Sequence, residues 1–458
     1  MTKMQKGTEG RRLVFEILLE LERTEQKADV LLHAVLRKHD HLKQQEKAFI
    51  KRLTEGCIER RITLDHIIDA CAKTKNGRIK MPVRLLLRMG IYQILYMDAV
   101  PDAAACNEAV ALAAAKGLSG LKGFVNGVLR TVSREKEHLS WPDREQEPVR
   151  YLSVYYSMPE WIVERMLAQY GAELTRQMLA AYQEQRPVTV RVCEGADAAA
   201  LCSAWQQQGI EVLKSPYLPG VYQLENVPGV ERLEGFAQGA FTVQDVSSML
   251  AVCAAGIQKG DTVVDVCAAP GGKSMLAAEQ CGRDGKVYAF DLTEHKVEQI
   301  RENAARLGLA QAEARLQDAR ETDRTLEGTA DVVIADLPCS GLGVLGRKAD
   351  IRYRLKPEDI ISLQALQRQI LASAVRYLKP GGTLLYSTCT IDSAENEENR
   401  DWIIRELGLK PFSFRKKLPQ ALDSETAGAG YLQLLCGVPQ ERPAVDGFFI
   451  SVYRKAGV

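Results

Sequence analysis

From Arg11 to about Lys136, apolar residues recur at three- and four-residue spacing, in RRLVFEILLELER, EKAFIKRLTEGCIERRI and PVRLLLRMGIYQILYM. That period lines one face of a helix, so residues 1–140 are predicted to form an all-helical domain. Pro82 and Pro101 mark helix ends, and Gly117, Gly120 and Gly123 punctuate the last connection. SWPDREQEP, 140–148, is polar and proline-bearing and reads as a linker. Helical sequence resumes in YLSVYYSMPEWIVERMLAQYG, then gives way to short strands VTVRV, IEVLKS and VYQLE, which predicts a small α+β domain over 148–238.

Beyond Gly256 the pattern changes again. TVVDVCA, KVYAFD, EARLQD, DVVIADLP and TLLYSTC are strands alternating with helical segments, and GFFISVYR is a late one. This implies an α/β domain, 239–458, with a parallel sheet covered by helices on both faces. Ligands of such sheets lie beyond the carboxyl ends of the strands.

The first strand runs into a glycine turn, GDTVVDVCAAPGGKS, 260–274, where Pro270, Gly271 and Gly272 let backbone N–H groups approach a ligand at a helix N-terminus. Asp291 closes the next strand 20 residues beyond Gly271, the offset at which a carboxylate reaches ribose hydroxyls. A P-loop requires glycine where Cys267 stands, and no Gly-x-Gly-x-x-Gly is present. S-adenosylmethionine, which needs carboxylates and a glycine turn but no pyrophosphate cradle, is the expected cofactor. An ordinary strand-turn-helix crossing leaves the Asp265, glycine and Asp291 combination unexplained.

Charge adds a second domain-level signal. The 458 residues carry a net charge of +1, but residues 1–140 carry +8 and the remainder −7. A basic helical module fused to an acidic one is the distribution expected if the front meets a polyanion. Its basic residues cluster as Arg11 with Arg12, Lys51 with Arg52, Arg60 with Arg61, and Lys73, Lys75, Arg78 and Lys80. A solvated helix surface accounts for them equally well. No signal-peptide core or uncharged run of membrane-spanning length occurs, so a cytoplasmic protein without a membrane partner is expected. Eleven cysteines at irregular positions, with no Cys-x-x-Cys, suggest reduced thiols and no metal site.

Two of those cysteines stand apart. Cys339 follows the fourth strand in DLPCSGLG and Cys389 the fifth in YSTCT, on the rim expected for the methyl donor, whereas Cys57, Cys71, Cys106 and Cys253 lie on apolar helical faces. Carbon 5 of a pyrimidine is a weak nucleophile. A thiolate adding to carbon 6 raises its electron density, and a base must later remove the carbon 5 proton. Asp336 is placed to hold cytosine N3. RKADIRYRLK, 347–356, interleaves Tyr353 with basic residues and suits phosphate contact and base stacking, although an exposed basic loop reads the same way.

CAAPGGK (Cys267, Ala268, Ala269, Pro270, Gly271, Gly272, Lys273), DLPCSGLG (336–343), STCT (387–390) and DGFF (446–449) together resemble the RsmB/Sun family of RNA 5-methylcytosine methyltransferases. FVNGVLR, 124–130, and the helices before it resemble the family's NusB-like RNA-binding domain, so the likeness spans nearly the whole chain. It implies a Rossmann-like class I S-adenosylmethionine-dependent methyltransferase domain acting on a cytosine of 16S ribosomal RNA, free or in an assembling small subunit. It places the donor at Cys267 to Lys273, Asp291, Asp318 and Asp336, makes Cys389 the nucleophile and gives Cys339 product release. The residues themselves show only two thiols on one rim. Leu337, Gly346 and Ala349 depart from the family's usual Ala, Arg and Pro, and RPAVDGFF lacks its His-Gly. A monomer is expected. Methylation of transfer RNA, or a non-catalytic RNA-binding role, are the alternatives; the NusB-like front disfavours the first and intact Cys339, Cys389 and Asp336 the second.

Overall fold

The apolar stripes of the front segment close on one another in a helical bundle. In this computed structural model, which describes residues 3–24, 26–72, 79–184, 186–438 and 445–457, its helices are α1 (Lys3–Leu21), α2 (Ala28–Lys38), α3 (Gln44–Glu59), α4 (Arg61–Cys71), α5 (Met81–Tyr96), α6 (Asp102–Ala115) and α7 (Lys122–Glu135). Nearly the whole of α5 is buried, from Val83 through Ile94, because it is apolar on every side and forms the centre of the bundle. Gly56 of α3 is required there: a Cβ at that position would fall 1.8 Å from the Tyr92 ring. Arg88, the one charged residue among those buried on α5, is held by Asp65 at 2.6 and 2.8 Å and by Glu22 at 2.8 Å. The two carboxylates offset the cost of burying this guanidinium.

The helices α8 (Pro148–Tyr156) and α9 (Glu160–Ala181) belong to the same compact unit, Met1–Gln183, which also takes in Lys348–Arg354. The sequence pattern assigned α8 and α9 to the following α+β segment. Hydrogen bonds tie α8 to the bundle: Thr63 Oγ1 donates to the Val154 carbonyl at 2.6 Å, and the Ile62 amide to Ser157 Oγ at 2.9 Å.

The second unit comprises Glu184–Arg347 and Leu355–Val458. It opens with an antiparallel sheet of β1 (Val188–Val192), β2 (Glu211–Lys214), β3 (Val221–Glu225) and β4 (Phe241–Val243), in the order β2-β3-β1-β4. The helix α10 (Ala198–Gln207), which the sequence pattern missed, buries Trp205 edge-on against Tyr222 and Phe241.

Next come α11 (Val246–Ala255), β5 (Thr262–Asp265), α12 (Gly272–Cys281), β6 (Lys286–Asp291), α13 (Glu294–Arg306), β7 (Ala312–Leu316) and β8 (Ala330–Asp336). The chain then crosses to the helical unit for α14 (Ile351–Arg354) and returns as α15 (Pro357–Ala374), β9 (Leu378–Thr388), α16 (Glu397–Glu406), β10 (Lys410–Pro411), β11 (Tyr431–Leu434) and β12 (Phe448–Arg454). The order β10-β12-β9-β8-β5-β6-β7 places the topological switch between β5 and β8, where ligands of this architecture bind. The strands from β9 to β7 are parallel. The expectation of an entirely parallel sheet needs correction at β12, which runs antiparallel to β9 and pairs with β11 and β10 in the same sense. An antiparallel neighbour needs no helical crossover. Among the described residues no helix is long and apolar enough to cross a membrane.

Candidate active site

Five strand ends of the large sheet supply the site. β5 ends at Asp265, the turn passes through Gly271 at φ +106°, and α12 begins at Gly272. Asp265 is fully buried and accepts a hydrogen bond from Ser274 Oγ at 2.6 Å, and burial pushes its carboxyl up to about 7. It braces the turn from beneath. Asp291, at the end of β6, clamps the turn from the side, accepting from the Ala269 amide at 3.0 Å. Its other oxygen takes the Leu292 amide at 2.8 Å and Lys296 Nζ at 3.0 Å. Cys267 is driven well above an ordinary thiol by burial and by three surrounding carboxylates, so it is inert.

Asp318 lies just beyond β7, gripped by the Arg320 guanidinium at 2.6 to 3.1 Å, and those hydrogen bonds hold its carboxyl below the usual range. Leu292 and Leu316 stand beside these carboxylates, 59% and 55% exposed. Hydroxyl acceptors next to bare apolar surface are the combination an adenosine requires.

On the other side of the switch point, Asp336 at the end of β8 accepts from Lys273 Nζ at 2.7 Å and Ser387 Oγ at 2.8 Å. Burial alone lowers the Lys273 ammonium, but Asp336 more than offsets it and holds the group above its ordinary value. The same ammonium lies 5.1 Å over the Phe448 ring. Lys273, assigned from its motif to the donor pocket, is thereby joined to the carboxylate expected to hold the base.

Cys339 Sγ lies 3.3 Å from Cys389 Sγ, and the shared hydrogen bond, reinforced by burial, holds the Cys339 thiol well above its ordinary value. A buried polar net that sequence reading missed fixes both turns. Glu395 accepts from the Ser340 amide at 3.0 Å and from Gln367 at 2.8 Å, while Gln367 also donates to the Pro338 carbonyl at 2.9 Å. Asn396 donates to the Thr390 carbonyl at 3.1 Å. The signal available was the polar run SAENEEN, which reads as solvated surface unless its tertiary burial is known. All eleven cysteines are free.

The basic segments behave differently from the reading above. Arg352 and Tyr353 are not presented for phosphate contact and stacking: Arg352 is 1% exposed and donates to the Ser157 carbonyl at 3.0 Å within the helical unit. Arg347 pairs with Asp446 at 2.8 Å and Asp245 at 3.2 Å. Arg11 is buried on Gln93, and Arg61 pairs with Glu22, while Arg12, Lys51, Arg52 and Lys80 are at the surface. Lys73, Lys75 and Arg78 lie outside the described residues. A surface trio on the helical unit, Glu9, His39 and His41, brings potential metal ligands within 4.8 Å of one another, which the sequence reading did not pick out.

A glycine turn over carboxylate-tipped parallel strands at the switch point, in a sheet that β12 enters reversed, belongs to an S-adenosylmethionine-dependent methyltransferase. Residues 252–454 match the 16S rRNA methyltransferase RsmB/F family, residues 8–134 the NusB family, and residues 158–231 the ferredoxin-like domain of RsmF/B-like methyltransferases. A probable ribosomal RNA small subunit methyltransferase B from Bacillus subtilis is 36% identical over 99% of this chain and 100% of its own length. The ribosomal RNA small subunit methyltransferase B of Sodalis glossinidius is 35% identical over 90% of each chain. The chain belongs to the RsmB/F methyltransferase family, with a NusB-like helical front. The fold is shared with the solved structure of PH0851, at TM-score 0.79 and 24% identity over 98% of this chain and 99% of that one. It is shared also with a methyltransferase homologue from Pyrococcus horikoshii, at TM-score 0.55 and 24% identity over 67% and 99%.

Proposed function

We propose that the protein transfers a methyl group from S-adenosylmethionine to carbon 5 of a cytosine in 16S ribosomal RNA, through a covalent adduct on Cys389. S-adenosylmethionine would be held by Cys267, Ala268, Ala269, Pro270, Gly271, Gly272 and Lys273 together with Asp291, Asp318 and Asp336. Bound there, it supplies an electrophilic methyl.

Cys389, as thiolate, forms a bond to carbon 6 while Asp336 passes to N3 a proton taken from the Lys273 ammonium, which neutralises the charge that develops on the ring and is returned when the adduct collapses. The electron pair displaced to carbon 5 takes the methyl and breaks its bond to sulfur. Cys339, once its own proton has passed to water, accepts the carbon 5 proton as thiolate, the carbon 5–carbon 6 double bond re-forms, and Cys389 leaves as thiolate. The observation that carries this reading is the 3.3 Å contact between two thiols beside Asp336. A single structural cysteine would need no partner at the ligand edge.

The names of the curated relatives favour ribosomal RNA of the small subunit as substrate. We take the enzyme to be a cytoplasmic monomer acting on free RNA or an assembling subunit. Bisulfite mapping of total RNA from cells with and without the gene tests this. One protected cytosine in 16S RNA that disappears with the gene is expected. A lost mark in transfer RNA, or none, overturns it.

A further inference from the structure

We propose that Glu9, His39 and His41 form a zinc-binding site that ties α1 to the turn between α2 and α3. The inference lies wholly within the helical unit and does not depend on the methyl-transfer reading above.

One ligand atom from each residue, a carboxylate oxygen and two ring nitrogens, lies within 4.8 Å of the other two. The imidazole rings are tilted by 60°, with centroids 5.7 Å apart. His39 ends α2, its amide donating to the Val35 carbonyl at 3.0 Å, and the Leu42 amide returns to the His39 carbonyl at 3.1 Å. Leu42 is buried in the helical core, and Glu46 accepts the Lys43 amide at 2.8 Å where α3 begins. The turn that carries both imidazoles is thus fixed at each end. Asp40, between them, is paired with Lys47 of α3. On the other side, Gly10 follows Glu9 and is buried against α3, where a Cβ would lie 3.6 Å from both Phe49 and Ile50. Packing therefore sets the main chain under all three groups, and closing the site asks only for side-chain rotation.

The donor set selects the ion. Two imidazoles and one carboxylate suit zinc, at bonds of about 2.0 to 2.2 Å, whereas magnesium and calcium take oxygen ligands. The carboxylate offsets half of the ion's charge, and three protein ligands leave a position for water. Among the described residues, neither the Glu9 carboxylate nor either imidazole makes a hydrogen bond or ion pair, so taking up an ion breaks no existing contact. Bound there, zinc joins two segments that only packing otherwise holds together, and binding becomes stability of the helical unit.

Titration of zinc chloride into metal-free, full-length protein, followed by calorimetry, tests the site. The eleven free cysteines are the competing ligands, above all the Cys339 and Cys389 pair. Cys339→Ala/Cys389→Ala, which lacks that pair, should still bind one equivalent. In that protein Glu9→Gln, His39→Ala and His41→Ala should each weaken zinc at least about ten-fold, the least that loss of even an outer-sphere partner costs. All three positions lie at or near the surface, so unfolding midpoints without zinc should match the parent. Cobalt chloride should give visible d–d bands and no sulfur-to-metal charge-transfer band, and zinc should slow amide exchange in α1 of the parent but not of His39→Ala. An absence of zinc binding, an affinity that all three substitutions leave unchanged, or a sulfur charge-transfer band on the bound cobalt overturns the inference.

Discussion

Cys339 and Cys389 are 50 residues apart in sequence, on turns leaving adjacent parallel strands, and their sulfurs are 3.3 Å apart. The carboxylate of Asp336 and its partner Lys273 stand on the same rim. Two thiols this close cannot both ionise readily, and in the proposed reaction Cys389 is the one that attacks.

The variants should therefore differ. Cys389→Ala should abolish methylation while donor and RNA still bind. Cys339→Ala should still attack and accept the methyl, but release slows, so a covalent protein–RNA complex should accumulate and survive denaturing electrophoresis. A stable complex with Cys389→Ala reverses the roles, and normal turnover in both variants removes the covalent mechanism.

Asp291 both clamps the Ala269 amide and faces the adenosine side. Asp291→Ala should weaken S-adenosylmethionine binding by about 1 to 3 kcal/mol, read by calorimetry on the full chain. Lys296→Met removes one of the two donors on the same carboxylate oxygen and should not reduce affinity. Equal affinity for wild type and Asp291→Ala moves the ribose elsewhere.

RNA contact by the helical unit is best tested at the basic side chains still at its surface. Truncation at residue 140 would strip the packing from Arg352 and confuse two effects. Replacing Arg12, Lys51 and Lys80 with glutamine should lower the log–log salt slope of RNA binding by about 2, at roughly 0.7 per phosphate contact on single strands. An unchanged slope makes the +8 charge a solvated surface.

Asp265 makes a pH prediction. Its carboxyl rises from 3.8 to about 7 in the folded state, first through burial. Between those values the native protein binds more protons than the unfolded chain, so its contribution to stability is full below 3.8 and is lost as pH rises through 7. Urea unfolding of wild type and Asp265→Asn should give a stability difference that falls from pH 4 to pH 7.5 and then levels. Parallel curves across that range would mean that Asp265 is ionised throughout.

Much of this architecture is legible along the chain because period and placement agree. The three-to-four spacing of the front, the β-branched run before CAAPGGK and acidic residues at strand ends are local signals, and they identify the helices, the turn and the rim. What is not legible depends on contacts distant in sequence. Nothing in RKADIRYRLK distinguishes a solvent-facing basic loop from an anchor, since Arg352 is buried by residues nearly 200 positions earlier. Glu395, likewise, looks like one acid among several until the Ser340 amide is found on it. The reversal of β12 is equally invisible, because GFFISVYR has the same alternation in either direction.

That reversal has a consequence for the newborn protein. β12 follows every other strand of the large sheet in sequence yet lies between β9 and β10. A nascent chain that has emerged only as far as β11 already contains both cysteines and the entire donor turn. It still lacks Phe448 beneath Lys273 and Gly447 against Gly343. Assembly of the reactive rim is thus deferred until translation has passed the last strand, so an incomplete chain on the ribosome carries its thiols without the support that aligns them.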